Sequence, residues 1–395
     1  MLCNIGVALL EAPQPSQLVT GRLVKIAPSY TTQPVRVAVL PTMLLIKIGR
    51  VAYEFDASTH FSLQLDMAAR IDDIASLAAA GAIAPEDAIR AIAEARKLRP
   101  RFGPVATTLG YAIAAVGFGM VINPTWASLP GYLFLGLVVG GIVQIGRPFP
   151  GLGPVLPTLS ALIVTLLATW FVADTAHDGL LRVIAPALVA SLPGMALTIG
   201  AIELATSQII AGASRLVYGL AQLAMLVFGV ALGLHIAGEV VPQAPSAQMG
   251  AWSLYAAIVV VGCGLYIYLS APPGSLIWLM AAIAVGLLGQ AIAGQVMSAS
   301  YSGFVGAMVV VPFAMSAARA QTAPPAIVMM LAAFWALVPG ALSFEAVSGA
   351  ATGDNFGVAS LGVTGAAILS IALGTLVGAS VYHAIDIRIS DRKSF

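Results

Sequence analysis

From Val105 onward the chain is a succession of apolar runs separated by short polar breaks. A transmembrane helix needs about 20 mostly apolar residues, and the pattern predicts ten spans. They are Val105–Ile122, Gly131–Ile145, Val155–Val172, Ile184–Leu204, Leu216–Ile236, Ala251–Ser270, Ser275–Gly294, Ser302–Ala317, Ile327–Val347 and Val358–Tyr382. Before Val105 the pattern is that of a globular domain. Gln17–Ile26 places its apolar residues at helical spacing. Val35–Ile48 and Val51–Phe55 read as strands joined by a two-residue hairpin turn at Gly49-Arg50. The apolar part of Val37–Ile48 is too short to cross a bilayer as a helix. Leu63–Ala80 and Pro85–Leu98 read as amphipathic helices, with Pro85 at a helix start and Glu86-Asp87 in its first turn.

Composition agrees: 59% of residues are hydrophobic and 9% charged, with a mean hydropathy of +0.96, where soluble domains carry about 25% charged residues. A disordered chain, a nucleic-acid binder and an ordinary cytosolic enzyme are excluded. Residues 1–101 hold 20 of the 35 charged residues, so a small polar domain precedes a long membrane region. The expected division is a domain at 1–103, a membrane module at 104–238, a linker at 239–249, a second module at 250–383 and a tail at 384–395. The positive-inside rule orients them. Arg90, Arg96, Lys97, Arg99 and Arg101 precede the first span. Arg147, Arg215 and Arg319 fall in alternate loops on the same side, and Arg388, Arg392 and Lys393 place the C-terminus there too. Asp174, Asp178, Glu239 and Asp354 face the other side, where Arg182 is the exception. Both termini are therefore expected in the cytoplasm.

Several chemistries are not expected. Net charge is +1, so no field favours polyanions such as nucleic acid. Cys3 and Cys263 lie far apart and form neither a disulfide framework nor a metal cluster. His60, His177, His235 and His383 lack metal-ligand spacing. No phosphate-binding GxxxxGK[ST] loop occurs, and Met1–Leu10 lacks the basic start of a signal peptide. No metal or cofactor is expected; the expected partners are a small-molecule substrate and membrane lipid. An oligomer of identical copies is compatible with the sequence.

The two halves of the membrane region echo one another. Val139-Gly140-Gly141-Ile142-Val143-Gln144 resembles Val285-Gly286-Leu287-Leu288-Gly289-Gln290, and Leu192-Pro193-Gly194 resembles Val338-Pro339-Gly340, both at an offset of 146 residues. The offset covers five expected spans. An odd number of spans inverts the second copy, as in many secondary transporters. The expected fold class is thus an α-helical polytopic membrane protein of ten helices in two five-helix inverted repeats, after a small cytoplasmic α+β domain.

Candidate site residues follow from burial cost. Pro193-Gly194 and Pro339-Gly340 would break their spans, since proline removes a donor and clashes with the preceding turn. A broken helix offers N–H groups on one half and carbonyls on the other, for a carboxylate and an ammonium respectively. The alternative is a plain proline kink. Glu203 and Glu345 are the carboxylates of these two spans. A carboxylate there faces the protein interior and carries a coupling proton, or snorkels to an interface. Gln144 and Gln290 are amides in apolar helices that need another helix or a substrate as partner. Thr198, Ser214 and Tyr301 are further polar candidates along the path. Asp56, Ser58, Thr59 and His60 cluster in sequence, but adjacency does not make a catalytic triad, and a turn accounts for them.

Leu192-Pro193-Gly194-Met195-Ala196-Leu197-Thr198, Glu203-Leu204 and Ala211-Gly212-Ala213-Ser214-Arg215-Leu216 together resemble the bacterial threonine/serine exporter family. Val39-Leu40-Pro41-Thr42 and the helices ending near Phe102 look like its cytoplasmic region, and Ala333–Leu342 is similar to its C-terminal module. The resemblance runs along nearly the whole chain. It implies a ten-span inner-membrane exporter of small hydroxy amino acids driven by the proton motive force. Related proteins that divide the two modules between separate chains imply dicarboxylate export, succinate in particular, as the second reading. A dianion would favour cations in the pathway, whereas Arg147, Arg182, Arg215 and Arg319 all fall at span ends. A third reading, a membrane-anchored hydrolase or sensor using the N-terminal domain, leaves the ten spans without a purpose.

Overall fold

The computed structural model of the protein describes residues 1–57, 64–172, 179–238, 246–337 and 358–393, and apolar helix lies on at least part of each expected span, the ninth being described only as far as Leu337. The chain forms two units, one of Met1–Arg101 with Ile199–Tyr218, the other of Phe102–Thr198 with Gly219–Phe395.

In the first unit, helices α1 (Leu2–Glu11) and α2 (Ser16–Ile26) precede an antiparallel sheet of β1 (Val35–Leu40), β2 (Met43–Ile48) and β3 (Val51–Asp56), in the order β1-β2-β3. Helices α3 (Leu65–Ala79) and α4 (Pro85–Arg96) follow. The turn at Gly49-Arg50 forms as expected: Ile48 pairs with Val51, and Gly49 adopts a left-handed φ of +58°, which costs glycine nothing. The single strand expected over Val35–Ile48 is instead two strands, folded back at Pro41-Thr42 with Leu40 paired to Met43. Proline has no N–H for a ladder and pre-sets a turn. Leu44 and Ile46 on β2 point inward with Ile5, Leu9, Val19, Leu23, Ile71, Ile74 and Ile92 from the four helices. The apolar stretch of Met1–Leu10 is thus one wall of this core.

The second unit is helical. It contains α5 (Pro104–Ile122), α6 (Leu129–Gly146), α7 (Leu156–Phe171), α8 (Leu180–Leu188), the start of α9 (Gly194–Ala205) and most of α10 (Ile209–Ala237). Then come α11 (Ser253–Tyr268), α12 (Leu276–Ala293), α13 (Ala299–Ala317), α14 (Ala326–Ala336) and α15 (Val358–Lys393). Among the described residues, six helices are long and apolar enough to cross a membrane, or seven with α8 and α9 as one bent span. The chain is a multi-pass membrane protein. Helices α7, α11 and α14 also lie on expected spans but are shorter, at 16, 16 and 11 residues. Helices α5 and α11 pack backbone to backbone. A methyl group on Gly117 would stand 2.7 Å from the nitrogen of Val261. Small residues at such crossings let membrane helices meet closely. Trp126 and Trp252, both exposed, stack with ring centroids 5.4 Å apart, as in an interfacial aromatic belt.

Candidate transport site

Glu203 lies in the last turn of α9. The chain reverses through Thr206–Gln208, with Ser207 left-handed at φ +63°, and α10 begins at Ile209. The two helices then run back against each other at Gly200 and Gly212. A methyl on Gly212 would lie 2.7 Å from the carbonyl oxygen of Gly200. This close approach brings Arg215 beside Glu203. The guanidinium Nε donates to Glu203 Oε2 at 3.1 Å and to Oε1 at 3.3 Å. Glu203 is fully buried, and the Arg215 side chain is 11% exposed.

The other partner comes from the far end of the sequence. Helix α2 opens after Pro15, which has no capping side chain, and its first turn contains no acidic residue. The N-terminal N–H groups of a helix need acceptors and favour negative charge. Glu203 supplies both: the Ser16 backbone N–H donates to Oε1 at 2.8 Å and the Ser16 hydroxyl at 2.7 Å. Arg215 Nη2 donates to the Gln14 carbonyl at 3.5 Å. Gln14 is itself buried, and among the described residues its side-chain oxygen has no partner. The carboxylate is therefore held by a cation and a helix N-terminus together, which lets a charge persist away from water.

The second arrangement is the break between α8 and α9. Pro186 sits inside α8 and cannot donate to the carbonyl four residues earlier. A tight 3₁₀ turn, Val189–Ser191, follows, and Leu192 is extended at ψ 132°. Pro193 and Gly194 are buried at the start of α9, and the two helical pieces bend by 66°. The first intrahelical bond of α9 runs from Leu197 N–H to the Pro193 carbonyl at 3.0 Å. The N–H groups of Gly194, Met195 and Ala196 thus have no partner within the helix. On the other side of the break, Tyr111 donates its hydroxyl to the Ala187 carbonyl at 2.7 Å. Thr198 is 5% exposed, and among the described residues its hydroxyl has no partner. Carbonyls at the end of one helix and N–H groups at the start of the next form a pair of opposite partial charges a few residues apart.

A family model described as "Putative threonine/serine exporter" matches residues 1–237. The chain belongs to the threonine/serine exporter family. No curated protein and no solved structure matches it. The matched stretch contains both arrangements and stops at the end of α10, so the exporter-family assignment rests on the N-terminal domain and the helices up to α10.

The other sequence-predicted residues are dispersed. Gln144 on α6 is half-buried and donates its amide to the Pro104 carbonyl at 3.2 Å, joining α6 to the start of α5. Gln290 is half-buried on α12. The Ser214 hydroxyl bonds back to the Ala211 carbonyl at 2.9 Å on its own helix, and Tyr301 on α13 is 53% exposed. Pro339, Gly340 and Glu345, the second-half counterparts, lie outside the described residues, as do Ser58, Thr59, His60, His177 and the loop acids Asp174, Asp178, Glu239 and Asp354. Sequence reasoning missed Ser16 and Gln14. The signal was there, in a helix beginning after proline with no acidic residue of its own. It also missed Pro186, whose position eight residues before Gly194 widens the break beyond a single proline kink.

Proposed function

We propose that the chain exports threonine and serine across a bacterial inner membrane, coupled to the proton motive force, with its N-terminal domain and both termini in the cytoplasm. The observation that carries the reading is the break between α8 and α9. A zwitterion needs a negative locus for its ammonium and a positive one for its carboxylate. The carbonyl end of α8 and the N–H groups of Gly194, Met195 and Ala196 supply them without any net charge. The Thr198 hydroxyl is the group available to the substrate's own hydroxyl. Family membership supports an amino acid as cargo.

Glu203 is the proton-coupling group in this reading. Its ionised form is matched by Arg215 and the Ser16 N–H and hydroxyl. A proton delivered to the carboxylate would cancel its attraction for Arg215 and weaken its hold on the start of α2. Loading of the proton is thereby linked to movement of α9 and α10, the helices that carry the break and the charge pair. The pairing of Arg215 with Glu203 also leaves no surplus cation there for a dianion, which favours the amino acid over succinate.

The test is counterflow in proteoliposomes with labelled threonine, serine and succinate at imposed pH gradients. Threonine and serine should exchange and accumulate with the gradient. Movement of succinate alone would overturn the substrate reading. Glu203→Gln should keep downhill exchange but lose its response to the gradient; an unchanged response would remove Glu203 from proton coupling.

A further inference from the structure

At the break, the second unit has a small cavity that neither the family nor the sequence pattern assigns. It is walled by Tyr111 and Phe118 of α5, Pro186 of α8, Ala190 of the 3₁₀ turn, Tyr268 of α11 and Trp335 of α14. It has room for about one water-sized group. None of its lining residues is charged; Arg147 acts on Tyr268 electrostatically from outside the lining. The three large rings are in contact. Tyr111 and Tyr268 meet edge to face with centroids 4.9 Å apart, and Tyr268 and Trp335 are 6.2 Å apart at 48°. The Tyr111 hydroxyl is already committed to the Ala187 carbonyl, so its ring is fixed in position.

A buried water needs two to four polar partners, and rings offer it few. A cation is different, because the face of an aromatic ring attracts it, most strongly when the site is dry. An ammonium is the size of a water molecule, and Pro186 and Ala190, on either side of the end of α8, line the same cavity. We infer that Tyr111, Tyr268 and Trp335 form the ammonium-binding pocket of the substrate site, selecting α-amino compounds over the corresponding uncharged or N-blocked ones. The inference rests on the proposed amino-acid export and specifies where the amino group is held. It also gives α14, in the half of the chain that the family model leaves unmatched, a direct part in recognition.

The experiment uses the full chain in proteoliposomes, measuring initial rates of threonine efflux over a range of concentrations. Tyr268→Leu and Trp335→Leu should each raise KM for threonine by about tenfold or more, the loss of one desolvated cation–π contact, with kcat nearly unchanged. Tyr268→Phe and Trp335→Phe keep a ring face and should stay within about threefold of the parent. Leucine and phenylalanine variants with the same KM would overturn the inference, since packing alone would then explain both. A measurement without any mutation guards against misfolded variants: N-acetylthreonine, which lacks the ammonium, should fail to compete with threonine, and equal competition would also overturn it. If the parent moves neither threonine nor serine, export itself fails, and the pocket is judged separately by binding. Ammonium ion, compared with sodium at the same ionic strength, should then raise the unfolding temperature of the purified parent but not of Tyr268→Leu; no rise in the parent would overturn the pocket.

Discussion

The two units bury polar groups in different ways. In the first, the buried polar side chains among the described residues are Gln14, Ser16, Asp72 and Glu203; both carboxylates are ion-paired, Glu203 with Arg215 and Asp72 with Arg22, while the Gln14 side-chain oxygen has no partner among the described residues. In the second, the buried polar side chains among the described residues are hydroxyls and the amide of Asn123, with no charge. Two of those hydroxyls, on Ser160 and Thr198, have no partner among the described residues. The difference follows from cost. A buried charge is tolerable only when paired and hydrogen-bonded, whereas an idle hydroxyl costs a few kcal/mol at most. Charge is therefore placed where the N-terminal domain closes around it. The membrane helices carry neutral groups and helix-end dipoles, the groups that the proposed zwitterion site draws on.

The most damaging way to break this contrast is to remove one charge of the pair. Arg215→Met leaves Glu203 buried with only Ser16 as partner and should cost about 3–5 kcal/mol, read as a large drop in unfolding temperature in detergent. Adding Glu203→Leu to it should recover most of that loss, because a well-packed apolar pair is no worse than a buried ion pair. A double variant as unstable as the single one would mean that the cluster stabilises by something other than charge pairing. Next in size is Ser16→Ala. It removes the 2.7 Å hydroxyl bond to Glu203 and leaves the Ser16 N–H bond in place, at about 1–2 kcal/mol. The loss should be concentrated at the start of α2, as faster hydrogen exchange there. Thr198→Val probes the other unit and should act in the opposite direction. Replacing an unpartnered hydroxyl by a methyl is neutral or stabilising, by about 1 kcal/mol at most, while the KM for threonine rises. A clear loss of stability in Thr198→Val would erase the distinction between the two units.

Much of this contrast was readable from local pattern. Pro85 opens α4, Gly49-Arg50 turns the hairpin, and Pro193-Gly194 marks the break, because each acts on the backbone within a few residues. What was not legible is what depends on distance. Ser16 meets Glu203 across 187 residues, and no periodicity links them. Tyr111, Tyr268 and Trp335 share no sequence pattern, and only the packing of three helices from different parts of the chain brings their rings together. Pro41-Thr42 is only a two-residue interruption between two apolar runs, so Val35–Ile48 reads as one strand although it folds back on itself. The orientation of the membrane helices and the role of Glu203 come from charge placement, and transport measurements decide both.

The smallest effect sharpens the contrast from within the first unit. Asp66, in the first turn of α3, is half-buried. It accepts a bond from the Met67 N–H at 2.8 Å, and Arg101 acts on it as a favourable charge. Burial outweighs both and raises its pKa above the usual 3.8. The sign follows from linkage. The folded chain holds this proton more tightly than the unfolded one, so between the unfolded and folded pKa values the stability contributed by protonated Asp66 falls as pH rises. Above the folded pKa the ionised group is a constant handicap. Asp66→Asn keeps the size and an acceptor for Met67 but removes the charge. Its unfolding temperature relative to the parent should therefore climb as pH rises from about 3 and level off above the folded pKa, ending above the parent at neutral pH. A gap that moves the other way would mean that Asp66 is stabilised as a carboxylate. The unit would then hold its acids by one rule, not two.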